Sequence, residues 1–334
     1  MRDKEFDLSL NFEQNSAINS MVEETFQRAE NKNIEAAVLP NGKLNADLLI
    51  KNAKILLLAG DTQLAKNIFK SLIEAGELLG VAYAGIGAAF EMEGKIELAI
   101  KAYREAIIYE PSYGALYALA ELLMKQKDYG SAIGTLLRAN NLNKISNEQS
   151  YEIHKCLGNC YMHMGQLNNA EAHYRKAYEM QPQSDILHVN IGSLALKKGD
   201  MATALLHFKE AARINAKNAA AHTGAGLAHL GQGNKQQAHD AFASALQIDI
   251  HEATALYNLV KCAYELKKFD VISQTLNEYI KNNPVNSNIL YSYAGILFHE
   301  KKYKEALEEC EKLLSFNENH EGAKKIKTMI EKSL

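Results

Sequence analysis

Residues 151–184 read YEIHKCLGNCYMHMGQLNNAEAHYRKAYEMQPQS. Two short helical patterns flank a turn at Met164-Gly165-Gln166. The first carries Leu157, Gly158 and Tyr161; the second carries Ala170, Tyr174 and Ala177. Pro182 closes the unit, because proline has no amide donor and its ring clashes with the preceding helical turn. The stretch reads as one helix-turn-helix hairpin.

The hairpin returns in register along the chain. Its small residue near the start of the second helix falls at Ala65, Ala99, Ala132, Ala170, Ala204, Ala238, Ile272 and Ala306. The step is 34 residues throughout, except for one of 33 and one of 38, which places a four-residue insertion near 144–150. Eight units follow, over 46–79, 80–112, 113–146, 151–184, 185–218, 219–252, 253–286 and 287–320. Twelve residues earlier, on the first helix, stand Ala53, Gly87, Ala120, Gly158, Gly192, Gly226, Val260 and Ala294. Small residues on both helices at their crossing let the axes approach to about 8–9 Å. The seventh unit departs, with Val260, Ile272 and Tyr279 where small residues are the rule, so a wider helix pair is expected there.

The order Leu-Gly, Tyr, Ala, aromatic, Ala, Pro resembles the tetratricopeptide repeat. That resemblance implies an all-α fold, a right-handed superhelical solenoid of helix-turn-helix repeats over 46–320. It also implies a non-enzymatic protein–protein interaction scaffold whose first helices line a concave groove for a peptide, helix or protein surface. At the positions from which such groove contacts usually come, this sequence has Tyr117, Glu121, Met124 and Lys125 in the third unit. The fourth has Lys155, Asn159, Met162 and His163, the fifth has Asn190 and Lys197, and the sixth offers little beyond Thr223. The seventh and eighth have Tyr257, Asn258, Lys261, Tyr264, Tyr291, Phe298 and His299. Lys155, Asn159 and Asn190 also match three positions of the clamp by which some family members hold the carboxylates of a chaperone tail. The clamp's other two cation positions are Ala220 and Gly224 here, which removes most of its charge-assisted hydrogen bonding.

The bulk properties agree with a scaffold of this kind. The chain has 334 residues, is 47% hydrophobic and carries a net charge of −3, without the basic stripe that marks a nucleic-acid binder. Four cysteines make no disulfide framework. No apolar run reaches the roughly 20 residues of a membrane helix, and the first residues lack the apolar core of a secretory signal, so a cytoplasmic location without membrane insertion is expected. Residues 1–45 stand outside the repeat as an N-terminal extension. Phe6, Leu8, Leu10 and Phe12 alternate like an extended strand, and Ala17 to Ala29 form an amphipathic helix. Three roles stay open for this segment: a cap on the stack, an occupant of the groove, or a docking arm for a partner or for self-association. Residues 321–334 read as a C-terminal capping helix with Ala323, Ile326, Met329 and Ile330 inward.

Catalytic signatures are missing. There is no phosphate-binding GxxxxGK[ST] loop and no HExxH zinc motif. Gly85-Ile86-Gly87 and Gly224-Ala225-Gly226 fall inside first helices, where they read as packing glycines and not as a dinucleotide turn. Cys156 and Cys160 share a helix face but lack a second ligand pair, and read as buried packing residues. His154, His188 and His222 recur at the repeat spacing; equivalent positions of neighbouring hairpins lie on the order of 10 Å apart, too far to share a metal, so they read as a packing column, with pH sensing as the alternative. No metal or cofactor is expected. The partner is a protein or peptide, with a structural subunit that assembles through its convex face and ends as the alternative.

Overall fold

The computed structural model describes residues 45–283 and 286–332, so the expectations placed on the N-terminal extension lie outside the described residues. Among these residues there are seventeen α-helices and no strand. Eight hairpins account for sixteen of them: α1 Ala46–Leu58 with α2 Thr62–Glu74, α3 Leu79–Met92 with α4 Ile96–Tyr109, α5 Tyr113–Lys125 with α6 Tyr129–Asn140, and α7 Asn147–His163 with α8 Leu167–Met180. Then come α9 Asp185–Lys198 with α10 Met201–Ile214, α11 Ala219–Gly231 with α12 Lys235–Ile248, α13 Ala253–Leu266 with α14 Asp270–Asn282, and α15 Ser287–His299 with α16 Tyr303–Phe316. The last helix is α17 Glu321–Glu331. The chain divides into two compact units at Met180/Gln181, the first holding α1–α8 and the second α9–α17.

Local chemistry sets the hairpin. After each first helix one residue turns left-handed: Gly199, for example, has φ +79°, a conformation that costs glycine nothing. Lysine holds the same place in the third, seventh and eighth hairpins, at Lys127, Lys267 and Lys301, with φ +62°, +57° and +63°. The next residue often caps the second helix. Asp61, Asp128 and Asp200 accept from the amides of Leu64, Ser131 and Thr203 at 3.0–3.1 Å, satisfying a donor that the helix start leaves unpaired.

Packing follows the two columns of small residues. Ala53 and Ala65, Ala120 and Ala132, and Ala294 and Ala306 are all fully buried at their crossings. Aromatic rings of the second helices lie on the glycines of the first. A Cβ built on Gly87 would approach the Tyr103 ring to 2.9 Å, and one on Gly192 the Phe208 ring to 2.9 Å. Gly85 and Gly224 meet the rings of the preceding hairpin, Phe69 and Phe208, so these glycines are packing residues. Each buried ring contributes roughly 2–3 kcal/mol of transfer free energy.

Within each unit a second helix packs between its own first helix and the first helix of the next hairpin. First helices also meet one another, as α5 meets α7 and α11 meets both α9 and α13. Each unit therefore has a face built from first helices, and this face positions the residues considered next.

Three departures are physical. The four-residue insertion lengthens α7 to 17 residues, started by a capping box between Ser146 and Gln149. Leu142 and Ile145 pack on the core there, so α6 and α7 stay joined. In the seventh hairpin α13 and α14 make the sparsest backbone contact of the eight helix pairs, in keeping with the larger Val260, Ile272 and Tyr279 there. On α17, Ala323, Ile326 and Ile330 are buried against the last hairpin, but Met329 is 49% exposed. Its expected inward place is corrected: the buried stripe runs three and then four residues apart, and position 329 falls beside it.

Candidate functional site

In the first unit the first-helix face carries a charged lattice. Lys125 at the end of α5 reaches back to Glu91 of α3 at 3.3 Å. Tyr117 of α5 donates to Glu152 of α7 at 3.0 Å and lies 3.4 Å from the Cys156 sulfur. Lys155 is paired with Glu152 at 2.7 Å and lies 5.2 Å from the centre of the Tyr151 ring. Glu121 sits among these groups. Desolvation raises its pKa, Lys125 offsets part of the rise, and the carboxylates of Glu91 and Glu152 add to it.

Burial is the largest single influence on Lys155 and lowers its pKa, but the bond to Glu152 together with the charge of Glu152 and its neighbours makes the net shift upward. Burial also pushes up the Tyr117 hydroxyl and takes the Cys156 thiol to about 11, so neither ionises near neutrality. Asn159 accepts from the Tyr174 hydroxyl at 2.7 Å, and Met162 lies beside the same hydroxyl. Met124 is half-buried against the core. His163 stacks on Tyr129 of α6, at 4.8 Å between ring centres and 3° between planes. The structure thus gathers Tyr117, Glu121, Lys125 and Lys155 into one cluster, and gives Asn159 and Met162 to the second helix of their own hairpin.

The second unit presents aromatics instead. Tyr257 is 71% exposed, Tyr264 38% and Tyr291 40%. Tyr264 meets His299 edge-on at 5.3 Å, and His299 stacks on Phe269 at 5.2 Å. Tyr291 turns toward His320 at the start of α17, 5.0 Å between ring centres. Phe298 is half-buried beside Tyr303. Asn258 donates to the Thr254 carbonyl at 2.8 Å and so spends one donor within its own helix. Lys197 and Lys261 are exposed, and Asn190 is half-buried.

Two features escaped the sequence reading. The histidine column is not a set of isolated packing residues. His154 contacts His173 through their Nδ1 atoms at 3.0 Å, and His188 contacts His207 in the same way at 2.9 Å. His188 Nε2 faces the Pro182 carbonyl at 3.1 Å, which can only accept, so this nitrogen carries the hydrogen. A neutral His188 then accepts at Nδ1 from His207. Burial holds His154 down to about 4, with His173 and Lys176 adding to the effect. His173 and His207 are lowered as well, chiefly by burial. His222 has no such partner and reaches the Ala216 carbonyl at 3.4 Å. The signal was present, since His173 and His207 are 34 residues apart. The second feature is a recess around Thr223, lined also by Ala220 and Gly224.

Among the described residues no three His, Cys, Asp or Glu side chains could hold a metal ion, and no helix is long and apolar enough to cross a membrane.

Models of the tetratricopeptide repeat match residues 86–140, 151–184, 187–218, 223–271 and 274–323, most of the chain. The chain is a tetratricopeptide repeat protein. No curated protein matches it. Among solved structures, this tetratricopeptide repeat protein is similar to PilF of Pseudomonas aeruginosa, with 18% identity over 67% of this chain and 97% of that one and a TM-score of 0.54. A tetratricopeptide repeat protein from Parabacteroides merdae aligns over 78% of this chain and 98% of its own, with 16% identity and a TM-score of 0.49. YrrB, described as having an unusual peptide-binding site, aligns over 57% of this chain and 96% of its own, with 18% identity and a TM-score of 0.46. At these identities the likeness is one of fold.

Proposed function

We propose that this protein is a non-enzymatic scaffold whose first-helix faces form a groove for a segment of a partner protein. One observation carries the reading. On the first helices Tyr257, Tyr264 and Tyr291 stay open, 71%, 38% and 40% exposed, while the exposed rings of the second helices, Tyr109, Tyr178 and Phe316, fall in their last turns. Tyr257 above all, 71% exposed, adds little to the packing of the fold that displays it. Tyrosine offers a partner large contact area and a hydroxyl at low conformational cost. In the first unit the paired charges of Glu91, Lys125, Glu152 and Lys155 favour a polar stretch of ligand, because exchanging one ion pair for another costs little at a half-exposed site. Membership of an interaction-repeat family supports the same conclusion.

The experiment is a set of alanine replacements in two groups, Lys155 with Asn159 and Tyr257 with Tyr264, followed by capture from the native extract. Loss of a specific partner with either group, while the helical signal stays intact, supports the groove. Unchanged capture with both groups points instead to an assembly subunit that works through its other surfaces.

A further inference from the structure

In the second unit, α9, α10, α11 and the start of α13 wall a recess of about 170 Å³ on the first-helix face. Ala220 ends at its Cβ and lines the recess with Gly224, whose missing side chain makes room for the Phe208 ring, itself part of the wall. Val189, Leu196 and Leu227 supply the rest of the apolar lining.

Four polar side chains line the recess, Ser193, Thr223, Glu252 and Thr254, and two of them decide what it holds. Thr223 is 6% exposed, yet its hydroxyl oxygen makes no hydrogen bond. The hydroxyls of Thr135, Thr275 and Thr328 donate to the carbonyl four residues back in their own helices. Thr223 forgoes that bond and lines the recess. Leaving a buried hydroxyl unpaired is unfavourable, and a ligand group that pairs with it recovers the loss. The second group is Glu252, the one charged side chain of the lining. It caps no amide of α13, and no lysine or arginine of the described residues pairs with it.

We infer that the recess receives a lysine side chain of the partner segment. The alkyl stem lies along Val189, Leu196 and Leu227, and the ammonium reaches Thr223 and Glu252. The chemistry selects this occupant. A purely aliphatic side chain would leave the hydroxyl unpaired and strip water from the carboxylate without compensation. An acidic one would face Glu252. A lysine matches both ends of the recess, apolar along its stem and cationic at its tip, with three donors to place. This inference rests on the groove reading and names what one part of the groove takes.

The test uses the whole chain with labelled methyl groups and n-butylammonium, 1-butanol and butyrate as probes. Expected are saturable NMR shifts at the methyls of Val189, Leu196, Thr223 and Leu227 with n-butylammonium alone. Glu252→Gln should weaken them about tenfold, the size of one charge-assisted hydrogen bond. Thr223→Val, which keeps the shape, should weaken them severalfold. Equal binding of 1-butanol, no saturable shift in the folded chain, or indifference to Glu252→Gln would each overturn the assignment. Partner capture that still depends on Tyr257 and Tyr264 would show that the lysine assignment alone has failed.

Discussion

Acid should weaken the fold through its histidine pairs, and the size of the effect follows from His154. This ring titrates at about 4 in the folded chain, against 6.5 for an unperturbed histidine. The folded state resists a proton that the unfolded chain accepts below pH 6.5. Stability from neutral His154 is therefore complete above pH 6.5 and is lost as the pH falls toward 4. One pH unit of difference is worth about 1.4 kcal/mol, so His154 contributes up to about 3 kcal/mol at neutrality. Its neighbour adds a second constraint. A neutral pair shares one hydrogen across the 3.0 Å contact, whereas a doubly protonated pair sets two N–H groups against each other.

The repeat supplies its own control. Positions 154 and 173 correspond to Leu116 and Thr135 in the third hairpin and to Leu256 and Thr275 in the seventh. The double variant His154→Leu/His173→Thr should keep the packing and lose the titration. Urea midpoints from pH 7.5 to 4.0 test this, converted to free energy with the measured slope. The native chain should lose about 3 kcal/mol more than the variant over that range. Parallel losses in the two chains would refute the reasoning.

Further expectations concern the turns and the crossings. Lys127→Gly, Lys267→Gly and Lys301→Gly should each stabilise the chain by about 0.5–1 kcal/mol in urea melts. Relief of left-handed strain, about 1–2 kcal/mol, exceeds the added freedom of the unfolded chain, about 0.4–1 kcal/mol. Destabilisation by all three would contradict the turn account. Gly224→Ala should cost about 1–3 kcal/mol, since its methyl group enters the Phe208 ring and forces repacking. A melt unchanged by that substitution would remove the close-packing argument at this crossing.

What the sequence made legible is what repeats. The alanine and glycine columns recur because every helix crossing imposes the same steric limit, so register alone located eight hairpins and the loosely packed seventh. Partners of individual side chains were less legible. Lys155 and Asn159 were placed on the first-helix face by position, but position does not say that Glu152 and the Tyr174 hydroxyl occupy them. The histidines were compared along the column of first helices, while the contact that matters lies 19 residues away on the second helix. The recess was silent for a simpler reason. It is walled by residues of four helices, and their meeting carries no signature in the sequence until the helices are in place.

The account's central claim is that a partner lies along the first helices. Replacing Tyr257 and Lys155, one at a time, by a photo-crosslinking amino acid in the native cell tests it most directly, with Ile108 and Leu206 of the second helices, 72% and 66% exposed, as controls. The account predicts one protein partner crosslinked from Tyr257 or Lys155 and none from Ile108 or Leu206. Crosslinks from Ile108 or Leu206 alone would contradict it.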